Sequence, residues 1–170
     1  MYITKKYTIL ILLCLSASLI LLSGITYSSD KDASLFALFS TDGNLIKLSS
    51  EINKNDVVII FFAGYCVPCR NEIPQLVKLH EKYSNRFKIL FVNIDKEGKP
   101  EAERILSELN INNYTCLLDI YQQTVKKYSP SLTIPAFFLI DKNGKIKYES
   151  IGYKPGSIDS FEKYINKTEN

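Results

Sequence analysis

Val57-Val58-Ile59-Ile60-Phe61-Phe62, then Cys66-Val67-Pro68-Cys69 after three further residues, then Arg70-Asn71-Glu72-Ile73-Pro74-Gln75-Leu76-Val77-Lys78-Leu79, is the stretch on which the fold turns. The first six residues are all apolar and mostly β-branched or aromatic, the pattern of a strand buried on both faces. The last ten carry apolar side chains at 73, 76, 77 and 79, the spacing of an amphipathic helix expected over 67–84. A cysteine pair at such a strand-to-helix junction lies on the first turn of the helix. There, unsatisfied N–H groups and the positive end of the dipole favour a thiolate. Two intervening residues bring the sulfurs within disulfide reach, so the expected chemistry is a reversible dithiol/disulfide switch. The plainer readings are half of a zinc site, or two cysteines that happen to be close. Tetrahedral zinc takes four ligands. The other candidates, Cys14, Cys116 and the single histidine His80, form no second pair at ligand spacing. Redox chemistry is therefore favoured, with no metal and no cofactor expected.

Outward from this centre, turn and periodicity signals lay out one domain over 30–170. Leu35-Phe36-Ala37-Leu38-Phe39 and Leu45-Ile46-Lys47-Leu48 flank Thr41-Asp42-Gly43-Asn44, a β-hairpin with Asp-Gly at its turn. Residues 86–95 read as a second central strand. Pro100 opens a helix through Asn110, with Glu101 and Glu103 near its start. A short strand over 114–118 and a short helix over 121–128 follow. Residues 133–141 form an apolar strand begun by a proline, and Asn143-Gly144 turns it into a partner over 145–151. Ser157 is the expected N-cap of a closing helix over 157–167. Strands alternating with helices, then a hairpin, give a mixed sheet with helices on both faces.

At 170 residues and 46% hydrophobic composition the chain is long enough for a sizeable core. Its formal charge of +3 comes from scattered basic residues, which excludes a nucleic-acid patch. The N-terminus has a different character. Lys5 and Lys6 precede an uncharged stretch over 7–29, apolar mainly between Ile9 and Ile25. That length falls between a signal h-region of about 7–15 residues and a spanning helix of about 17–25. The lysines fit a positive-inside anchor with the remaining chain outside the cytoplasm. Thr26 and Ser28 make a poor cleavage motif, so 1–29 is read as an uncleaved anchor with its linker ahead of a cleaved signal. Cys14 follows Leu13, where a lipidation site carries a small residue, and reads as one more apolar residue of the run. Outside the cytoplasm a cysteine pair tends to be oxidised, so a working dithiol there needs an electron partner.

Taken together, these residues resemble the thioredoxin superfamily, and within it the membrane-tethered TlpA/ResA-like thiol–disulfide oxidoreductases. The likeness covers residues 34–165. It rests on Phe36, Leu38, Asp42, Gly43, Leu48 and Ser49 of the hairpin, and on the unbroken run from Phe61 to Pro74 around the cysteines. It rests also on Thr133-Ile134-Pro135 followed by Phe138-Leu139-Ile140-Asp141 and Gly144. The implied fold is a thioredoxin-like α/β fold with a central mixed β-sheet flanked by helices. An N-terminal β-hairpin and an extra strand and helix, matching 95–118, are added to it.

The resemblance also implies roles by position. Cys66 is the implied exposed nucleophile that attacks a substrate disulfide, and Cys69 the thiol that resolves the mixed disulfide. Pro135 is implied to be a cis proline facing the cysteines, with Ile134 pairing its backbone with a substrate strand. Tyr65, Val67 and Pro68 complete the implied substrate-binding surface. Glu72 lies three residues after Cys69, on the same helix face. It is implied to assist proton transfer as a partly buried carboxylate of raised pKa; the alternative is an acid placed early in the helix for the dipole alone. Ile60 stands where cytosolic thioredoxins carry a buried aspartate, so that base is missing. Tyr65 replaces the family's usual tryptophan, in a chain with no tryptophan at all. His80 and Cys116 read as structural, the latter as a buried inert thiol.

The expected function is thus an anchored, monomeric disulfide reductase on the extracytoplasmic face of a bacterial cytoplasmic membrane, or periplasmic if its signal is cleaved. It takes electrons from a membrane thiol carrier and passes them to selected protein substrates, apocytochrome c being the family's best-known class. A disulfide oxidase or isomerase is the second expectation. A Cu(I)-binding assembly factor using the cysteines as soft ligands is the third. Copper carriers on this fold add a nearby histidine, and His80 is poorly placed for that. Tyr65 and Val67 make the surroundings apolar, and no histidine or lysine lies between the cysteines; both features limit thiolate stabilisation and point to a reductant.

Overall fold

The computed structural model describes residues 31–83 and 86–168. The anchor or leader read over 1–29, with Cys14 inside it, lies outside the described residues. Among the described residues no helix is long and apolar enough to cross a membrane.

The apolar run ahead of the cysteines forms β3, Asp56–Phe62, buried from Val57 onward. It sits at the centre of a five-stranded sheet of order β5-β4-β3-β6-β7. Strands β4 (Phe87–Asn93) and β5 (Cys116–Leu118) run parallel to it, β6 (Ala136–Ile140) pairs antiparallel with β3, and β7 (Ile146–Ile151) pairs antiparallel with β6. Parallel neighbours need crossovers, supplied by α2 (Val67–Lys82) and α3 (Lys99–Glu108). A separate antiparallel pair, β1 (Ala37–Phe39) and β2 (Leu45–Lys47), is the expected hairpin. The remaining helices are α1 (Leu48–Ile52), α4 (Val125–Tyr128) and α5 (Ser157–Lys167). This is the mixed sheet flanked by helices that the sequence pattern predicts.

Alternation along the strands divides the core in two. Ile60, Phe62, Phe91 and Phe137 point to one face, where Phe161 of α5 meets Phe87 and Phe137 at ring separations of 5.8 and 5.3 Å. Phe61 and Phe138 point to the other, packed on Tyr128 of α4 at 5.5 and 5.1 Å, with Phe36 beyond it. Helices therefore cover both faces.

The strand expected over 133–141 starts only at Ala136, after the cis Ile134–Pro135 bond, and three further elements differ from expectation. Leu48 leaves the second hairpin strand and begins α1, because Leu48 and Ile52, four apart, both bury. The helix expected over 121–128 shortens to α4, since the Asp119 carboxylate accepts the N–H groups of Gln123, Thr124 and Val125 and fixes the preceding residues in a turn. Helix α5 does begin at Ser157, but its N-cap position is Gly156, at φ +78°, and the Ser157 side chain makes no cap bond.

Pairing register gathers the loops. Strands β3, β4 and β5 all end at one sheet edge, where β6 starts and β7 finishes. The segments 63–66, 94–98, 119–124, 133–135 and 152–156 meet there.

Candidate active site

At that edge β3 hands the chain to α2 through Ala63, Gly64 and Tyr65. Cys66 occupies the N-cap of α2 in an extended conformation, and its Sγ accepts the Cys69 N–H at 3.2 Å. Pro68 sits in the first turn, where its missing N–H costs nothing. Cys66 and Cys69 are joined by a disulfide with S–S 2.01 Å and Cα atoms 5.3 Å apart. Cys66 is 5% exposed and Cys69 1%. The first cysteine is thus the more open, as expected of a nucleophile, but in the disulfide neither stands clear. Bonding to Cys69 and acceptance of its N–H turn the Cys66 sulfur toward the helix. Tyr65 and Val67, 67% and 68% exposed, form an apolar rim on either side.

The loop before Cys66 is clamped by groups that motif reading did not single out. Asp95, just past β4, accepts the Gly64 N–H and the Asn93 side-chain amide through Oδ2, both at 2.7 Å. Arg70 of α2 donates to the Gly64 carbonyl at 3.0 Å and pairs with Glu108 of α3. Glu101 of α3 lies over Gly64, where a Cβ would fall 1.7 Å from its Oε1, so a larger residue there would make the Glu101 side chain swing aside. The signal was present in the sequence. Asn93 and Asp95 are polar residues closing an apolar strand, on the edge where the cysteines lie.

Glu72 is 1% exposed. The Ser157 hydroxyl donates to its Oε1, while Oε2 is buried without a hydrogen-bond partner. Burial holds its pKa above the usual carboxylate range, and the Ser157 hydrogen bond opposes that rise. Tyr148 of β7 stands behind Ser157 and donates to its carbonyl at 3.2 Å. Burial, then the charge of Glu72, pushes the Tyr148 phenol upward. Ile60 is fully buried and brings no carboxylate from the strand side.

The Ile134–Pro135 peptide bond is cis. Pro135 is buried and Ile134 half-buried, directly ahead of β6, whose Ala136 pairs with Phe61. The Gly152 N–H donates to the Pro135 carbonyl at 2.9 Å. The structure therefore brings Tyr65, Cys66, Val67, Pro68, Cys69, Glu72, Ile134 and Pro135 to one edge. It does not bring His80 or Cys116 to them. His80, near the far end of α2, lies between the Tyr114 hydroxyl and the Phe87 carbonyl, each at 3.1 Å, and burial lowers its pKa. Cys116 is a buried free thiol on β5, pushed up to about 12 by burial. Among the described residues no group of three or more His, Cys, Asp or Glu is placed to hold a metal ion. A switchable sulfur pair, a carboxylate of raised proton affinity and an apolar rim together suit thiol–disulfide exchange with a bulky partner.

Comparison with known proteins accords with this geometry. The family model described as Redoxin matches residues 28–165. The chain is 28% identical over 120 residues to the thiol–disulfide oxidoreductase ResA of Bacillus subtilis, spanning 70% of this chain and 65%, just under two thirds, of that relative. It is 25% identical over 168 residues to the ResA of Bacillus cereus, spanning 95% of this chain and 94% of that one. A solved structure from Chlorobium tepidum, described as a candidate DsbE thiol:disulfide interchange protein, superposes with a TM-score of 0.72 at 28% identity. That superposition covers 83% of this chain and 97% of the other.

Proposed function

This chain belongs to the Redoxin family, and on that premise we propose that it is a thiol–disulfide oxidoreductase that reduces disulfides in selected protein substrates through Cys66 and Cys69. The observation that carries the reading is the Cys66–Cys69 disulfide on the first turn of α2, with the buried carboxylate of Glu72 three residues further on. In the reduced enzyme the Cys66 thiolate attacks one sulfur of the substrate disulfide. A mixed disulfide forms and one substrate thiolate leaves. Cys69 then gives its proton to Glu72 and attacks the Cys66 sulfur. The Cys66–Cys69 bond forms, the bond to substrate breaks, and the second substrate thiolate leaves to take a proton from water. Two electrons have passed from the dithiol to the substrate.

Tyr65, Val67, Pro68, Ile134 and Pro135 form the substrate surface in this scheme, the Ile134 backbone pairing with an extended substrate strand. The lysine-led apolar run over 1–29 supports attachment to a bacterial cytoplasmic membrane, with residues 30–170 as a monomeric extracytoplasmic domain re-reduced by a membrane thiol carrier. The TlpA/ResA-like resemblance supports apocytochrome c, whose haem-attachment cysteines must be reduced, as substrate class.

Direction is tested by equilibrating the protein in thiol buffers of stepped potential and reading the Cys66–Cys69 state by alkylation and mass spectrometry. A potential close to thioredoxin's, about −270 mV, is expected. A value near about −120 mV, that of a strong oxidant, would replace the reductase by an oxidase.

A further inference from the structure

We propose that Ser157 is a positioning residue for the resolving step: its hydroxyl holds Glu72 by Oε1 and leaves Oε2 as the one oxygen able to take the Cys69 proton. The inference rests on the reading of Glu72 as proton acceptor and extends it to a residue on another element, 85 positions away in the chain.

Three observations carry it. First, Oε2 of Glu72 is buried and unpartnered, an uncommon state for a carboxylate oxygen and one that calls for a reason. An acceptor kept for the proton of Cys69, one turn earlier on the same helix face, supplies that reason. Second, a serine opening a helix would ordinarily cap it, yet Gly156 takes the N-cap position and the Ser157 hydroxyl turns inward to Glu72. Third, Ser157 is itself fixed from two sides. Its N–H donates to the Lys154 carbonyl at 3.0 Å, and its carbonyl accepts from the Tyr148 hydroxyl at 3.2 Å. The hydroxyl therefore arrives at Oε1 from a rigid mount and orients the carboxylate.

The surroundings give Ser157 this influence. Tyr148 of β7 is the titratable group that senses the charge of Glu72, and Cys66 and Cys69 lie at the start of the helix that carries Glu72. No cation pairs with Glu72 among the described residues, so the Ser157 hydrogen bond is what opposes burial. A donor to the charged form favours that form. Without it Glu72 stays protonated to higher pH and cannot accept from Cys69.

The test follows the resolving step in single turnovers of the full-length protein, loaded as a Cys66 mixed disulfide with a model thiol, across pH. Ser157→Ala should move the acid limb upward by about one pH unit, roughly a tenfold slower step on the acid side, with the high-pH plateau kept. Ser157→Thr, which keeps the hydroxyl, should restore the wild-type midpoint. Ser157→Gly removes the same hydroxyl and must move the midpoint as alanine does, which covers the case of an unstable alanine variant. A lowered plateau with an unmoved midpoint would make Ser157 merely structural and overturn the proposal. Glu72→Gln separates the two levels. If it loses the acid limb while the Ser157 variants do not shift it, the positioning role fails alone. If it keeps the wild-type limb, the acceptor role of Glu72 fails, and the Ser157 role with it.

Discussion

Glu72 makes protonation a variable of stability. Its native pKa is raised above the unfolded value, so between the two values the folded state binds the extra proton. Its effect is absent below the unfolded pKa. Stability then falls as pH rises through the native pKa, by about 1.4 kcal/mol for each unit of separation. Glu72→Gln should therefore raise Tm at neutral pH, and the gain should vanish in thermal melts near pH 4. The cysteines differ in a way that trapping can read. Cys66→Ser should abolish disulfide reduction, whereas Cys69→Ser should accumulate mixed disulfides visible on non-reducing gels; the reverse pattern would exchange their roles. Cys66, Cys69 and Glu72 were legible because they are close neighbours in sequence within one strand–helix junction. Ser157 was not, since its partner lies 85 positions away and a serine opening a helix already has an ordinary explanation as a cap.

Between elements, the decisive joint is the one that holds the end of β3 to β4 and α3. Asp95 receives two donors through one oxygen, from Gly64 and Asn93, and the carboxylate is itself buried. Asp95→Ala leaves both donors buried without an acceptor, at a cost of about 2–4 kcal/mol in chemical denaturation. It also frees the backbone ahead of Cys66, so alkylation of the reduced protein should become faster and less selective for that cysteine. Unchanged stability and selectivity would show that the Arg70 bond to the Gly64 carbonyl holds the loop without Asp95. Strand and helix order was legible from periodicity, because burial on both faces or on one writes itself directly into residue type. The ends of elements were less so. Tertiary bonds, such as the Asp119 carboxylate gathering three N–H groups ahead of α4, decide where a helix starts, and no local propensity reports them.

For the molecule as a whole, sheet register does what no single loop could, bringing five separate segments to one edge. A chain starting at residue 30 contains all of them together with both halves of the core. It should express as a soluble monomer by size exclusion and retain dithiol activity; an aggregated or inactive product would show that 1–29 belongs to the fold. The cysteine bridge has one more consequence at this scale. It spans a sequence separation of only 3, so it ties a very small loop. On a chain-entropy basis such a loop removes only about 2 kcal/mol from the denatured ensemble, against about 4.7 kcal/mol for a loop of a hundred residues. A thermodynamic cycle carries that small figure over to redox. Through loop closure, gaining or losing the sulfur–sulfur bond shifts the folding equilibrium less than a long-range bridge would, and folding in turn biases the bond less. The architecture rests on Phe61, Phe91, Phe137 and Phe161, not on the bridge. Opening and closing this bridge therefore perturbs the packed interior less than breaking a bridge between distant parts of the chain would.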